Sequence, residues 1–413
     1  MQFMILIAAF PISLKAETVD NLAAVADDSK IKLNAFGTLG VARSTSDQAE
    51  FVRDLSQPNG VSTNWASKID NILGVQASWQ PSSEFEMFTQ VVSRYQYNGS
   101  RTPELTWAFA KWEPASLLDL RVGRLGADFL IGADSRLVGH SYLEVRPMPN
   151  YFGPLFFSYF DGVDATSSLN VGDNIIRTKI YGGLTREKST VAGQVWDANG
   201  SNLYGVVLDY LAGPWQFRAS TAQIRLSNDL PIGALTNGLR AAGTALGIPA
   251  ATSAALAIST GGTTSKFTTV GAEYNEGALK VSGMLNTISH QSSAFQDSRA
   301  AYLLAGYRVD KVTPFAAYSR WSSTAKNIST GLPNLTPGLI ALNQGYDQVL
   351  RDSGCDQTTY TLGARWDILE NVGIKFQWDA VRGSPRSLFP VRGEKPGWNG
   401  RTDVFTMTVD FVL

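Results

Sequence analysis

From residue 31 onward, apolar and polar residues alternate in segments of about ten residues. In the segment 372–381 (VGIKFQWDAV), apolar Phe376 and Trp378 alternate with polar Lys375 and Gln377. The segments 214–223, 279–288 and 358–367 show the same period of two. This alternation predicts β-strands with one apolar and one polar face, and the segment length is that of a strand that crosses a membrane.

The connections between these segments alternate between short and long. Short turns are predicted near residues 81–83, 113–116, 170–173, 212–214, 275–277, 310–311 and 370–371. Long connections are predicted at 43–66, 97–103, 126–155, 186–200, 226–264, 289–298, 322–355 and 382–401. This pattern predicts an all-β fold, a transmembrane antiparallel β-barrel of about sixteen strands over residues 31–413, with both chain ends on the short-turn side.

Composition agrees with such a barrel. Charged residues make up 17% of the chain, and the mean hydropathy is close to zero, because strands with one lipid face and one water face average out. The net charge of −1 provides no field for nucleic acid, so no nucleic-acid partner is expected. The only long stretch of low polarity, 233–259, contains Arg240 and Pro249 and lacks the apolar content of a membrane-spanning helix.

The N-terminal residues predict export. An apolar run at 3–14 is followed by Lys15, Ala16 and Glu17, which indicates a signal peptide over 1–16 with cleavage after Ala16. Residues 17–30 are predicted to be a polar periplasmic segment. Too few residues precede the first strand for the folded plug of a gated transporter.

Residues for catalysis or metal binding are sparse. The chain has one cysteine, Cys355, and two histidines, His140 and His290, with no further ligand spacing around them. Neither histidine lies near a Gly-x-Ser-x-Gly turn, which a hydrolase would use to place its nucleophile. We therefore expect no enzymatic activity, no metal and no cofactor. His140 is expected to be a hydrogen-bonding loop residue, and Cys355 an unreactive loop thiol.

Several stretches resemble the Gram-negative outer-membrane porins, a superfamily of barrels with about sixteen strands. The chain ends on an amphipathic strand, 403–413 (DVFTMTVDFVL), like the assembly signal of outer-membrane proteins. The first strand (31–44, IKLNAFGTLGVARS), the stretch 117–129 (LLDLRVGRLGADF) and the run 159–164 (YFDGVD) also look porin-like. The Pro-Glu-Phe signature of the best-known enterobacterial porins is missing, so no subfamily is assigned.

The resemblance implies that the third long loop, 126–155, folds into the barrel and narrows it. The loop carries Asp128, Asp134, Arg136, His140, Glu144 and Arg146. Prolines at 147, 149 and 154 would limit its backbone freedom. The resemblance also implies a homotrimer.

Alternation places a set of basic residues on the lumen face. These are Arg94, Arg121, Arg177, Lys179, Arg218 and Lys375. Together with carboxylates on the loop they would create a transverse field, and their surplus predicts a mild anion preference. The alternative is that they are simply the solvated polar wall of a wide barrel.

The sequence therefore predicts a porin that lets ions and small hydrophilic solutes diffuse passively across the outer membrane, in contact with membrane lipid and lipopolysaccharide. A substrate-preferring porin and a barrel whose long loops bind partners remain alternatives. Within those loops, Thr336 and Pro337 predict the start of a helix, and 235–247 predicts a second one. Both helices are expected to decorate the extracellular side rather than to line the pore.

Overall fold

The computed structural model describes residues 31–153, 155, 157–191, 194–385, 391–392, 395 and 397–413. The predicted signal peptide, the segment 17–30 and the predicted loop residue Pro154 lie outside the described residues. The described chain forms one closed barrel of sixteen antiparallel strands. In chain order these strands are β1 Ile31–Ser44, β2 Ile72–Trp79, β3 Phe85–Arg94, β4 Glu104–Ala115, β5 Leu118–Gly126, β6 Tyr159–Val171, β7 Asn174–Thr185, β8 Ser201–Ala212, β9 Trp215–Arg225, β10 Thr264–Glu276, β11 Leu279–His290, β12 Ser298–Tyr307, β13 Val312–Ser323, β14 Asp356–Leu369, β15 Val372–Gly383 and β16 Arg401–Val412.

Each strand pairs with the next along the chain, and β16 closes the barrel on β1. In this closing pair, Phe36 lies opposite Val412 and Ser44 opposite Val404. The predicted barrel and its short and long connections are confirmed, with the third long loop at 127–158 rather than 126–155. A sheet closed on itself has no free edge, so every strand has hydrogen-bonding partners on both sides, as a membrane requires.

Alternation decides which side chains face outward. In β15, Phe376 is 49% exposed on the outside, whereas Lys375 and Gln377 point inward and are buried. In β9, Trp215 and Phe217 face outward and Arg218 inward. Not every aromatic residue of the strands faces outward: Tyr302, for example, faces inward and is buried.

The long loops carry the helices. A 3-10 turn (Gly139–Ser141) and a one-turn helix (Pro149–Phe152) lie in the third loop. Helices α1 (Gly233–Leu246) and α2 (Pro249–Ala257) lie between β9 and β10, and α3 (Pro337–Asp352) between β13 and β14. The Thr336 side chain accepts a hydrogen bond from Leu339 N, which confirms the predicted cap of α3.

Two small sheets are separate from the barrel sheet, one between two loops and one within a single loop. Glu50–Phe51 pairs with Val391–Arg392, and Lys188–Val191 pairs with Gln194–Asp197. In the described part of the chain, no helix has both the length and the apolar character to span a membrane.

The interior of the barrel contains an apolar core as well as polar groups. Inward-facing Ile224, Phe267 and Tyr302 belong to one buried cluster with Phe129 and Phe157 of the third loop. Leu239 of α1 and Tyr346 of α3 join the same cluster. These helices therefore contribute to the packing at the long-loop end of the lumen, a larger role than the surface decoration that the sequence predicts.

Candidate pore interior

The third long loop lies inside the barrel. It leaves from β5 and returns to β6, yet its hydrogen bonds reach strands on the opposite wall. Gln377 Oε1 of β15 accepts from Val145 N at 2.8 Å, and Asn150 Nδ2 donates to Thr359 Oγ1 of β14 at 3.0 Å. Because the inner faces of strands in a wide barrel are polar, they offer these partners to a loop that crosses the lumen.

Arg146 is the most deeply buried anchor of this loop. Its guanidinium donates to both carboxylate oxygens of Asp70, at 2.9 and 2.7 Å, and to Asp379 Oδ2 at 3.1 Å. Thr406 Oγ1 accepts a further hydrogen bond at 2.7 Å, and the ring of Phe51 lies beneath the guanidinium. Since Asp70 and Phe51 belong to the connection between β1 and β2, this one side chain joins two long loops and the wall. Burial lowers the pKa of Arg146, but the two carboxylates outweigh it and raise that pKa.

Lys375 anchors the same loop from the wall. Its ammonium pairs with Asp410 at 3.1 Å and donates to the carbonyls of Gly139 and Glu144 at 2.7 and 3.0 Å. The lysine and the aspartate are both fully buried. A buried lysine that is paired and hydrogen-bonded in this way holds a loop in place rather than facing the solute.

The first part of the loop is anchored on the near side of the barrel. Asp128 forms ion pairs with Lys179 of β7 and, at 2.8 Å, with Arg218 of β9. Arg218 also pairs with Asp209 of β8 at 2.7 Å. Burial raises the pKa of Asp128, but Lys179 and Arg218 outweigh this effect and lower it. The loop carboxylate predicted to face the basic wall is thus in direct contact with it.

Water reaches a second group of charged side chains beside β5–β7. Arg121, which pairs with Asp164, is 24% exposed, and Lys179 is 14% exposed. Arg177 and Asp134 are also partly exposed. Burial, followed by the neighbouring Asp128, raises the pKa of Asp134. In the described part of the chain, no carboxylate lies within ion-pairing distance of Arg177.

The residues predicted for the pore thus fall into two sets. The partly exposed set comprises Arg121, Asp128, Asp134, Arg177 and Lys179. The buried set comprises Arg94, Arg136, Glu144, Arg146, Arg218 and Lys375. Members of the buried set bind loops and wall to each other, and burial raises the pKa of Glu144 and lowers that of Arg136. The alternation in the sequence predicted that the wall residues face inward, but it could not predict which of them are exposed to water.

Another cluster of buried charged residues connects several loops near the long-loop end of β3. Arg94 Nη2 lies 3.5 Å from Glu104 and 3.6 Å from Glu187. Glu187 also accepts a hydrogen bond from the backbone N–H of Ser158, where the third loop ends. Burial and the neighbouring Glu104 raise the pKa of Glu187 to about 7. Arg53 of the first loop donates to the carbonyl of Arg136 at 2.9 Å.

His140 makes the kind of contact that the sequence predicts. Arg365 donates to its carbonyl at 2.6 Å and lies 3.1 Å from its Nε2. Because an arginine can only donate, His140 Nε2 accepts and the ring is neutral. Burial and the nearby Arg365 and Lys375 lower the pKa of His140, which favours the same neutral form.

Sequence reasoning missed the acidic partners of the wall. Asp164, Asp209 and Asp410 occupy inward positions of their strands, so alternation contained a signal for them. Arg53 and Asp70 lie in a loop without periodicity, so no pattern in the sequence indicated that the first loop enters the barrel.

No protein-family model matches the sequence, and no curated protein sequence matches it. Solved structures do resemble the fold. The anion-selective porin from Comamonas acidovorans aligns with a TM-score of 0.53 at 10% identity, over 94% of this chain and 100% of that one. OmpF of Salmonella typhi, solved as a complex with daunomycin, aligns with a TM-score of 0.53 at 11% identity, over 94% and 98% of the two chains.

OmpT in its trimer form, an outer membrane protein of Vibrio cholerae, aligns with a TM-score of 0.52 at 11% identity, over 93% of this chain and 99% of that one. At such identities the likeness concerns architecture and not activity. Together with the closed barrel of sixteen strands, these alignments show that the chain has the fold of the Gram-negative outer-membrane porins.

Proposed function

We propose that this protein resides in the outer membrane and forms a water-filled channel for the passive diffusion of ions and small hydrophilic solutes. The observation that carries the proposal is the third loop, which is anchored inside a porin-type barrel and has partly exposed charged groups beside it. An apolar outer surface and a charged inner face suit a barrel that lies in lipid and conducts water. In this proposal the third loop narrows the channel.

The conducting path would run beside β5–β7, because most strand residues of the apolar cluster belong to β8–β13 and only one each to β5, β6 and β7. Along this path, Arg121 is balanced by Asp164, and Lys179 by Asp128. Arg177 forms no ion pair within the described residues and remains as a base along this path. Charged groups at a narrowing select ions by electrostatics, so we propose a mild anion preference.

The oligomeric state and the lipid partners are proposed from the same likeness to solved outer-membrane barrels. We propose a homotrimer, since the matched OmpT structure is described as a trimer form. Lipid and lipopolysaccharide would surround the exposed outer side chains.

The test is a planar-bilayer recording of the full-length protein, purified from outer membranes, under a KCl gradient. Stepwise conductance with a reversal potential towards chloride is expected, and replacing Arg177 by glutamine should move that potential towards potassium. A reversal potential on the potassium side would overturn the proposed anion preference but would not contradict the proposed channel. Folded protein without any conductance would overturn the channel itself.

One observation favours a second function, the binding of a partner by the long loops. Helices α1 and α3 pack together, with Gly238 against Leu342 and Gly345 against Leu235. Yet large apolar side chains in these loops remain exposed: Leu335 is 81% exposed. Exposed apolar groups on an ordered surface are typical of interaction sites. Deletion of 233–257 with unchanged conductance, combined with loss of surface binding to cells, would favour this alternative.

A further inference from the structure

Three aromatic side chains lie side by side on the lumen face of β3 and β4. Phe88 is directly opposite Phe109 in the sheet, and Trp107 is directly opposite Gln90. Because Met87, next to Phe88, is on the outer face and 49% exposed, alternation turns the three rings towards the lumen. Each of the three rings is only partly buried, so water in the lumen reaches it.

The three rings pack against each other but are not covered. Phe88 and Phe109 stack with their centroids 5.4 Å apart and their planes at 16°, and Trp107 lies 5.6 Å from Phe88. By contrast, Phe129 and Phe157 of the third loop are almost completely buried. The inner wall of a water-filled barrel is polar, and apolar surface that stays in contact with water adds no stability. Phe88, Trp107 and Phe109 therefore form an uncovered apolar surface in the lumen, the aromatic patch.

Two hydrogen-bond donors without acceptors lie at the two ends of the aromatic patch. Arg121 lies over Phe109, with its Cζ 5.2 Å from the ring centroid. Its Nε and Nη2 donate to Asp164, whereas its Nη1 has no acceptor among the described residues. The indole N–H of Trp107, two positions from Phe109 towards the long loops, also lacks an acceptor in the part of the chain that the structure describes.

The aromatic patch extends to the third loop. A Cβ added to Gly126 would lie 2.8 Å from Trp107 Nε1 and 3.2 Å from the Cβ of Asp134. The indole and this residue of the third loop are therefore close neighbours. A solute that passes between the third loop and β3–β5 would contact the patch, at the edge of the proposed conducting path.

The exposed rings and the free donors together define a ligand with two parts. Aromatic faces bind a planar aromatic ring by offset stacking or edge-to-face contact. An arginine N–H needs an acceptor, and its hydrogen bonds to carboxylates are about twice as strong as those between neutral groups. An aliphatic carboxylate would lack the ring contact, and an aromatic alcohol would lack the charge-assisted hydrogen bond.

We propose that the aromatic patch is a binding site for planar aromatic carboxylates of the benzoate type. The ring lies on Phe88 and Phe109, and the carboxylate accepts a hydrogen bond from Arg121 Nη1. Trp107 extends the stacking surface and donates to a polar substituent at the far end of the ring. The inference rests on the proposed function, because it assigns a preferred class of solute to the same channel.

The test is calorimetric titration of the full-length protein, folded in detergent, with benzoate, cyclohexanecarboxylate and benzyl alcohol. Cyclohexanecarboxylate keeps the charge without the aromatic ring, and benzyl alcohol keeps the ring without the charge. We expect benzoate to bind about tenfold more tightly than either of them. Benzoate binding no tighter than cyclohexanecarboxylate would overturn the proposal, and so would benzyl alcohol binding as tightly as benzoate.

A pair of variants locates the site. Phe88→Leu/Phe109→Leu keeps apolar side chains and removes both rings, so its affinity for benzoate should fall about tenfold, to that for cyclohexanecarboxylate. The matched control is Phe217→Leu/Phe376→Leu, which removes two outward rings from β9 and β15 and should bind benzoate like the wild type. Equal affinities of the two variants for benzoate would contradict the proposal. The comparison of three ligands on the wild type tests the site even where a variant fails to fold.

Planar-bilayer recordings on the same preparations test the channel separately. Benzoate should reduce the KCl conductance of the wild type at concentrations at which cyclohexanecarboxylate does not. Conductance without benzoate binding would overturn the binding site but would not contradict the channel. Benzoate binding without conductance would support the site and overturn the channel.

Discussion

Arg146 and Asp70 form a two-point ion pair in the middle of the barrel, although they belong to different long loops. The donor–acceptor distances are 2.9 and 2.7 Å, and the two side chains are 0% and 1% exposed. Two long loops with little regular structure would each lose considerable entropy on ordering. The ion pair couples the position of the third loop to that of the first loop. We therefore expect the two loops to stay in place together inside the barrel or to move together.

Replacing Arg146 by methionine should destabilise the protein strongly. Asp70 and Asp379 would remain buried without their cation, and breaking a buried pair from one side costs about 3–5 kcal/mol. Urea unfolding of the detergent-solubilised barrel, followed by its heat-dependent mobility on gels, measures the change.

Arg320→Met is the matched control. Arg320 pairs with Asp356 at the surface, where the two side chains are 40% and 60% exposed. Solvent screening limits such a pair to less than about 1 kcal/mol. Equal losses of unfolding free energy in the two variants would show that the buried pair stabilises the protein no more than the exposed pair does.

The contrast between Arg218 and Arg146 shows which features of the site can be predicted from the sequence. Arg218 lies in a strand, and the alternation around it is enough to predict that it faces inward. Arg146 and Asp70 are 76 positions apart in two loops that have no period. Alternation follows from the geometry of one extended strand, whereas the loop pairs depend on how two flexible segments meet in space. The barrel and the facing of its wall residues were therefore predictable, and the anchors of the loops were not.

Gly162 should resist substitution by alanine. It lies in β6 opposite Gly123 of β5 and Gly183 of β7, and an added Cβ would overlap the backbone of Gly182 and Gly183. Rigid backbone cannot yield as a flexible side chain can, so Gly162→Ala is expected to cost about 1–3 kcal/mol and to lower the yield of folded barrel. Gly233→Ala is the control, because nothing lies near its position. Refolding into detergent micelles measures the yield of folded barrel for both variants. Equal yields would show that the overlap at Gly162 does not impair folding.

Glu187 should make stability depend on pH. Burial and Glu104 raise its pKa from 4.5 to about 7, so folding favours the protonated form. Its contribution to stability is fully present below pH 4.5 and is lost as the pH rises through about 7. We expect the thermal midpoint of the wild type to fall between pH 5 and pH 8 by more than that of Glu187→Gln.

The glutamine variant keeps a side chain of the same shape and removes the titration. Thermal scans in detergent at pH 5 and pH 8 provide the comparison. A wild-type and a variant curve that shift in parallel would show that Glu187 does not titrate in this range.

The ion pair between Asp128 and Lys179 allows the electrostatic role of the lumen to be separated from its structural role. Asp128→Asn and Lys179→Gln both break this contact, and Asp128→Asn also removes the charge that pairs with Arg218, so the loop should loosen at least as much in Asp128→Asn. Their effects on lumen charge are opposite. Asp128→Asn leaves Lys179 unbalanced and should move the reversal potential towards chloride, whereas Lys179→Gln should move it towards potassium.

The measurement is the reversal potential in a KCl gradient, with Asp310→Asn as a control. Asp310 is exposed in the turn between β12 and β13 and has a positive φ of 55°, a conformation that asparagine also adopts readily. Shifts of the same sign in the two lumen variants would mean that loop movement, and not charge, determines selectivity. Opposite shifts, with the control unchanged, would place the selecting field at the contact between the third loop and β7, because no other difference between the two variants reverses sign.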